Sequence, residues 1–167
     1  MSAIMSTYGR LPVTFASGVG AYLTDQKGEQ YLDALSGIAV TNLGHSHSSV
    51  TRAITEQAES LLHTSNLYGI AQQERLATEL NQLTGMERIF FCNSGAEANE
   101  TAIKMARRHG HNKGIANPQI VVLEGAFHGR TMGALSATGS AAIQAAFKPV
   151  SYTHLRAHET GRNLGWR

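Results

Sequence analysis

Residues 88–110 read RIFFCNSGAEANETAIKMARRHG, and the predicted fold follows from the pattern of this segment. Its first five residues form an apolar run that is too short for a helix and is typical of a strand buried on both faces. Asn93-Ser94-Gly95-Ala96 then leads into a predicted helix. The small and apolar side chains of that helix recur at helical spacing, at Ala98, Ala102 and Met105. Gly110 is the expected C′ residue.

A second short apolar run, residues 119–123, predicts another buried strand and leads into residues 124–131, EGAFHGRT. Strand, helix and strand in this order predict a parallel sheet with right-handed crossovers. The loops that follow both strands then lie at the carboxyl edge of the sheet, where such sheets bind ligands. Cys92, at the end of the first run, is predicted to be a buried and inert thiol.

The first part of the chain predicts a hairpin and two helices. Residues 20–33 indicate a β-hairpin, because two short strands flank Asp25-Gln26-Lys27-Gly28, whose Asp and Gly favour a turn. A Gly/His/Ser loop, residues 44–49, offers serine N-caps to the next helix. That helix has one apolar stripe, at Val50, Ile54, Ala58 and Leu61. A further helix has leucines at helical spacing, at Leu76, Leu80 and Leu83, and is expected to end at Gly85.

Composition and charge exclude several classes of protein. With 42% hydrophobic and 16% charged residues, the chain is expected to be soluble and globular. No stretch approaches the roughly 20 consecutive apolar residues of a bilayer span. The net charge of +2 comes from residues 151–167, so a nucleic-acid partner is not expected. The first residues lack the features of a signal peptide and there is one cysteine, so a cytoplasmic location is expected.

The turn before the predicted helix has the features of a phosphate cradle. The first amides of a helix lack intrahelical partners, and the helix dipole adds roughly half a positive charge there. Gly95 removes the Cβ that would hold a ligand away, and the hydroxyl of Ser94 is a further donor. The plainer alternative is that Ser94 only caps the helix and that Gly95 only permits a tight turn.

Two long segments resemble the ornithine-type (class III) pyridoxal-phosphate aminotransferases. Residues 92–107 resemble the phosphate-loop segment of that family, and residues 125–131 resemble its second signature at a fitting distance. The predicted hairpin and residues 43–47 look like the family's N-terminal segment, with Ser48 where proline is expected. The resemblance covers about residues 8–150.

The resemblance implies an α/β chain, a truncated fold-type I pyridoxal-phosphate-dependent transferase. Residues 1–65 would be a segment of the small N-terminal domain, with the hairpin and a helix. Residues 66–150 would begin the large cofactor-binding domain, which has a parallel or mixed sheet. Residues 151–167 lack an apolar period and resemble translated sequencing-adapter read-through, with a genuine disordered terminus as the alternative. The tail is therefore expected to lie outside the fold.

The resemblance also assigns roles to individual residues. The phosphate of pyridoxal phosphate would be held by Ser94, Gly95 and Ala96. Phe127 would stack on the pyridine ring, which a flat π face positions at little entropic cost. Arg130 would receive the α-carboxylate of the substrate, because a guanidinium can hold a carboxylate bidentately. His128 is expected to line the cofactor pocket. Core packing is the alternative for Phe127, and a solvated surface position for Arg130.

The implied reaction moves the ω-amino group of N-acetylornithine to 2-oxoglutarate in a homodimer, with pyridoxal phosphate as the electron sink. Sister activities on ornithine, succinylornithine or 4-aminobutyrate share both segments. The Schiff-base lysine would lie downstream, since Lys148, the only lysine after Lys113, falls in an unlike segment. No catalytic residue is therefore expected here, and the chain alone is expected to be inactive.

Three other interpretations have less support from the residues. A non-catalytic module that binds a phosphate ligand or forms dimers would use the same cradle. A nucleotide-binding domain is disfavoured, because no Gly-x-Gly-x-x-Gly or Gly-Lys-Ser/Thr loop follows a strand. A metal site at His45 and His47 is disfavoured too, because no third ligand is in reach by spacing. Hydrogen bonding within the loop is the favoured role for these histidines.

Overall fold

A computed structural model describes residues 3–147 and the backbone of residues 154–157. The chain divides into two compact units, Met1–Glu74 and Arg75–Arg167, whereas the boundary expected from the sequence follows residue 65. The assignment of these segments to a small and a large domain stays a prediction. Within the described residues, no helix has both the length and the apolar character that a bilayer crossing requires.

The first unit contains a three-stranded antiparallel sheet of β1 (Phe15–Val19), β2 (Tyr22–Asp25) and β3 (Gln30–Leu32). The predicted hairpin is confirmed, because β2 pairs with β3. Its turn is held by Asp25, whose carboxylate accepts hydrogen bonds from the amides of Lys27 (2.8 Å) and Glu29 (2.9 Å). β1, which was not predicted, adds to the other edge of β2.

Three helical segments follow the sheet along the chain. α1 (Ser36–Ala39) is a single turn whose residues all have positive φ, between 50° and 64°. α2 (Ser48–Ser60) has His47 as its N-cap, so the predicted serine N-cap is wrong: Ser46 precedes the cap, and Ser48 and Ser49 lie inside the first turn. α3 (Ala71–Thr84) ends where predicted, and Gly85 adopts φ +69° while its amide donates to the carbonyl of Asn81 at 2.9 Å.

The second unit contains α4 (Gly95–Asn112), β4 (Ile120–Leu123), α5 (Met132–Ala137), α6 (Ala141–Ala145) and β5 (His154–Ala157). β4 and β5 form a parallel pair. The buried apolar side chains among the described residues belong to β4 and α5, at Val122, Ala134, Leu135 and Ala137. The buried amide of Gln144 donates to the carbonyls of Leu135 and Thr138, both at 2.8 Å. These bonds satisfy a polar group that would otherwise destabilise the interior.

The predicted strand at residues 88–92 is absent, and no other described strand pairs with that segment. A strand needs a hydrogen-bonded neighbour for its backbone groups. The predicted burial is also wrong, since the side chain of Phe90 is 66% exposed and Cys92 is exposed. β4 forms as predicted but is not buried on both faces, because Val121 remains 65% exposed.

The end of α4 also differs from the prediction. Gly110 is not the C′ residue: it is buried inside the helix, where an added Cβ would lie 2.7 Å from the side chain of Pro118. The helix ends instead with Gly114, which has φ +78° and donates its amide to the carbonyl of His111 at 2.9 Å. The amide of Ile115 donates to the carbonyl of Gly110 at 3.0 Å, which completes a Schellman motif.

Most of the tail, and Lys148, lie outside the described residues. The expectation that residues 151–167 take no part in the fold is wrong for β5, whose backbone pairs with β4 from Ile120 to Leu123. The physical reason is that the edge of a strand offers unpaired backbone groups to any extended segment, whatever its side chains. An apolar period is therefore not required for this pairing.

Candidate functional site

The N-terminus of α4 is fixed by reciprocal side-chain hydrogen bonds. Ser94 is the N-cap, in an extended conformation, and its Oγ accepts a hydrogen bond from the amide of Glu97 at 3.2 Å. The carboxylate of Glu97 in turn accepts hydrogen bonds from the backbone amide (2.7 Å) and the side-chain amide (3.2 Å) of Asn93. This arrangement is close to a capping box. Ser94 therefore caps the helix, and its O–H can still donate to a ligand.

The capping leaves two amides available at the same end of the helix. Among the described residues, no acceptor contacts the amides of Gly95 and Ala96. Gly95 is exposed and does not have a positive φ, and a Cβ added to it would meet no atom within 4 Å. Neither the turn nor the local packing thus requires glycine. What the glycine provides is open access to the amides, as an anion site requires.

The loop that follows β4, residues 124–131 (the second loop), lies directly against the start of α4. Gly129 is buried, with φ +132°, and a Cβ added there would lie 2.8 Å from the Cβ of Ala96. Phe127 and Arg130 are on either side of this contact in the sequence. The guanidinium carbon of Arg130 is 5.7 Å from the centroid of the Phe127 ring, within cation–π range. Phe127 is 60% exposed, so the alternative that it packs in the core is wrong.

The structure places His128 apart from these exposed groups. His128 lines an apolar cavity of about 250 Å³ beside α4 and β4. Other residues that line this cavity are Ala102, Ile103, Ala106 and Val122. The imidazole Nδ1 is buried and has no hydrogen-bond partner among the described residues. The backbone amide of His128 donates to the hydroxyl of Thr138 at 3.1 Å. The expected role of His128 in lining a cofactor pocket stays a prediction.

Two polar residues of α4, neither of which the sequence motifs single out, contact the second loop. The side-chain amide of Asn99 donates to the carbonyl of His128 at 2.7 Å. The carboxylate of Glu100 accepts hydrogen bonds from the hydroxyl of Thr131 (2.5 Å) and the amide of Ala134 (3.0 Å). The bond from Thr131 is the main reason why the pKa of Glu100 is below its ordinary value of 4.5. Asn99 and Glu100 follow Ala96 by three and four positions. This spacing puts all three residues on one face of α4 and could have revealed that face from the sequence.

One histidine of the first unit, His45, has a separate role. His45 Nε2 is 2.7 Å from Asp33 Oδ2, so the predicted hydrogen bonding of this loop histidine is confirmed. That bond, with the amides of Ser36 and Leu35, lowers the pKa of Asp33 below its ordinary value of 3.8. Among residues 3–147, no three His, Cys, Asp or Glu side chains are grouped as a metal site would need.

Comparisons with known proteins agree on one family. A family model described as Aminotransferase class-III matches residues 4–162. The chain is 58% identical over 150 residues to the acetylornithine aminotransferase of Nitrosomonas europaea, covering 90% of this chain and 38% of that protein. It is 49% identical over 150 residues to the acetylornithine aminotransferase of Prochlorococcus marinus, covering 89% of this chain and 36% of that protein. The chain thus spans little more than a third of these relatives.

Solved structures give the same result. The ornithine aminotransferase from Toxoplasma gondii superposes with a TM-score of 0.88 at 28% identity, over 93% of this chain and 38% of that one. An amine transaminase from an uncultivated Pseudomonas species, in a pyridoxal-phosphate-bound form, has a TM-score of 0.85 at 27% identity, with 95% and 38% coverage. The N-acetylornithine aminotransferase from Stenotrophomonas maltophilia has a TM-score of 0.68 at 42% identity, with 73% and 34% coverage.

Proposed function

Because this chain belongs to the class III aminotransferases, which are pyridoxal-phosphate-dependent enzymes, we propose that it holds the phosphate end of that cofactor. The expected fold class, an incomplete α/β fold-type I transferase, is confirmed by the same comparisons. The proposed enzyme moves the ω-amino group of N-acetylornithine to 2-oxoglutarate in arginine synthesis. The relatives that support this substrate are named acetylornithine aminotransferases.

One observation carries the proposal: the second loop packs on Ala96, next to the two available amides of α4. The residues present fit a phosphate ester, because the amides have no other acceptor among the described residues and no Cβ fills the space at Gly95. In this proposal the amides of Gly95 and Ala96 and the hydroxyl of Ser94 bind the phosphate. The helix dipole adds to the attraction.

The exposed groups of the second loop are proposed to orient the rest of the ligands. The ring of Phe127 would lie against the pyridine ring of the cofactor, and the guanidinium of Arg130 would bind the substrate carboxylate through two parallel hydrogen bonds. A bound pyridoxal phosphate would supply the electron sink of the reaction. The lysine that forms the Schiff base is proposed to lie outside these 167 residues, so the chain alone is expected to be inactive.

Other parts of the proposal rest on the family alone. A homodimer and the substrate 2-oxoglutarate follow from the resemblance, whereas the proposed cytoplasmic location rests on the single cysteine. Ornithine, succinylornithine and 4-aminobutyrate remain the alternative amino donors, and one solved neighbour is itself an ornithine aminotransferase. A non-catalytic phosphate-binding or dimer-forming module remains the alternative of a different class.

The proposal is tested by titrating the chain with pyridoxal phosphate. We expect Gly95→Val to weaken the binding of pyridoxal phosphate by tenfold or more, because the valine side chain would project into the cradle. A tenfold loss corresponds to about one charge-assisted hydrogen bond. Arg130→Ala, which removes a group assigned to the substrate, is the matched control and should change this affinity by less than about threefold. Equal effects of the two substitutions, or no binding by the unsubstituted chain, would refute the proposed roles.

A further inference from the structure

Glu100 gathers several hydrogen-bond donors from one region of the chain. Its carboxylate accepts from the hydroxyl of Thr131 and from the amide of Ala134, and the amide of Gly133 also donates to it. These donors are about 30 residues away in sequence, where the second loop enters α5. Thr131, the N-cap of α5, makes no side-chain capping bond of its own. The carboxylate of Glu100 thus supplies the acceptor that an N-cap side chain would normally provide.

Two neighbouring contacts act on the same loop from the same face of α4. Ala96, Asn99 and Glu100 are spaced i, i+3 and i+4, so their side chains lie on one side of the helix. Ala96 packs against Gly129, and Asn99 donates to the carbonyl of His128. The loop is therefore held at three points by one rigid element. Glu100 is the only one of the three that carries a charge.

Along the second loop, residues that contact α4 alternate with residues whose side chains are exposed. Residues 128, 129 and 131 contact α4, whereas the side chains of Phe127 and Arg130 are exposed. A loop fixed at these three points keeps Phe127 and Arg130 within two residues of Gly129, which packs on Ala96. Release of the contact at residue 131 would free the segment next to Arg130 while leaving the cradle itself unchanged.

We infer that Glu100 is a positioning residue, whose carboxylate fixes the second loop so that Phe127 and Arg130 stand beside the phosphate cradle. The inference rests on the function proposed above. The ionised form is the one that suits the task, because it accepts every bond that the three donors offer. The lowered pKa of Glu100, caused first by the hydroxyl of Thr131 and then by the two amides, agrees with this role.

The test compares two ligands on the 167-residue chain. Pyridoxal phosphate uses both the cradle and the ring-binding loop, whereas inorganic phosphate uses the cradle alone. For Glu100→Ala we expect the affinity for pyridoxal phosphate to fall about tenfold and the affinity for inorganic phosphate to stay unchanged. Glu100→Gln keeps one acceptor oxygen and should have a smaller effect. The control is Glu79→Gln, which removes a carboxylate from an exposed pair with Arg75 and should match the unsubstituted chain.

A second variant displaces the carboxylate without removing it. An added Cβ at Gly133 would lie 2.5 Å from Glu100 Oε2, and the flexible glutamate can move away at little cost. Gly133→Ala should therefore reproduce part of the loss for pyridoxal phosphate. Hydrogen exchange gives a ligand-free readout: the amides of Gly133 and Ala134 should exchange about tenfold faster in Glu100→Ala, while those of α4 keep their protection.

The outcomes separate the inference from the proposed function. If the unsubstituted chain binds neither ligand, the proposed function fails and the positioning role falls with it. If that chain binds pyridoxal phosphate and Glu100→Ala binds it equally well, only the inference is overturned. A loss of both ligands by Glu100→Ala, with loss of protection in α4, would also overturn the inference, because the carboxylate would then support the helix rather than position the loop.

Discussion

At the residue scale, the glycines in the two loops of the site have different structural roles. Gly95 has open space around it and an ordinary φ, so its value lies in what it leaves uncovered. Gly129 is the opposite case, because it is buried against Ala96 with φ +132°. The first glycine can accept a methyl group without a clash, and the second cannot. A sequence motif shows both as the same letter.

Gly129→Ala should destabilise the second unit by about 2–4 kcal/mol, since its methyl group combines backbone strain with overlap at Ala96. Urea unfolding measures the effect. Gly125→Ala in the same loop is the control: it has φ +76° but open space around its Cβ, so strain alone should cost about 1 kcal/mol. Equal losses would mean that the close approach to Ala96 has no energetic weight.

At the scale of elements, α4 connects both halves of the candidate site. Its first turn offers the amides, and its second turn holds the loop through Asn99 and Glu100. Its last turns are fixed by packing of Gly110 against Pro118, followed by the Schellman motif at Gly114. A shift of this helix would therefore move the cradle and the loop contacts together.

Gly110→Ala sets helix propensity against packing. Propensity alone would stabilise α4 by about 1 kcal/mol, whereas overlap of the new methyl group with the rigid ring of Pro118 should cost about 1–3 kcal/mol. We expect a net loss of stability in urea unfolding. Adding Pro118→Ala should relieve the overlap, so the pair of substitutions should be less harmful than the sum of the two single changes. A stabilised single variant would show that the ring moves aside freely.

At the scale of the whole molecule, much apolar surface of the described residues is uncovered. Phe90 and Val121, which the sequence predicts in strands buried on both faces, are instead exposed. Burial on both faces needs a layer on each side of a sheet. The relatives that match this chain are far longer, since the chain covers 38% of the Nitrosomonas europaea protein.

Acid should destabilise each unit through one carboxylate. The pKa values of Asp33 and Glu100 are lowered in the folded chain from 3.8 and 4.5. Each carboxylate therefore contributes stability that is present above those values and is lost as the pH falls below them through the lower pKa of the folded chain. Urea midpoints measured between pH 6 and pH 3 should decline below about pH 4.5. The decline should be shallower in Asp33→Asn and Glu100→Gln. Midpoints that fall equally steeply in all three chains would contradict the assignment to these two groups.

Short-range sequence patterns were sufficient to predict the hairpin turn at Asp25, the C-terminal end of α3, the opening of α4 at Ser94 and the family resemblance. Such features depend on a few adjacent residues, whose turn and capping chemistry is short-range. Long-range packing, in contrast, places Gly129 on Ala96, brings the second loop to Glu100, and leaves Cys92 and Phe90 exposed. Those outcomes depend on partners distant in sequence, and a local pattern does not specify which segment will pair with or cover another.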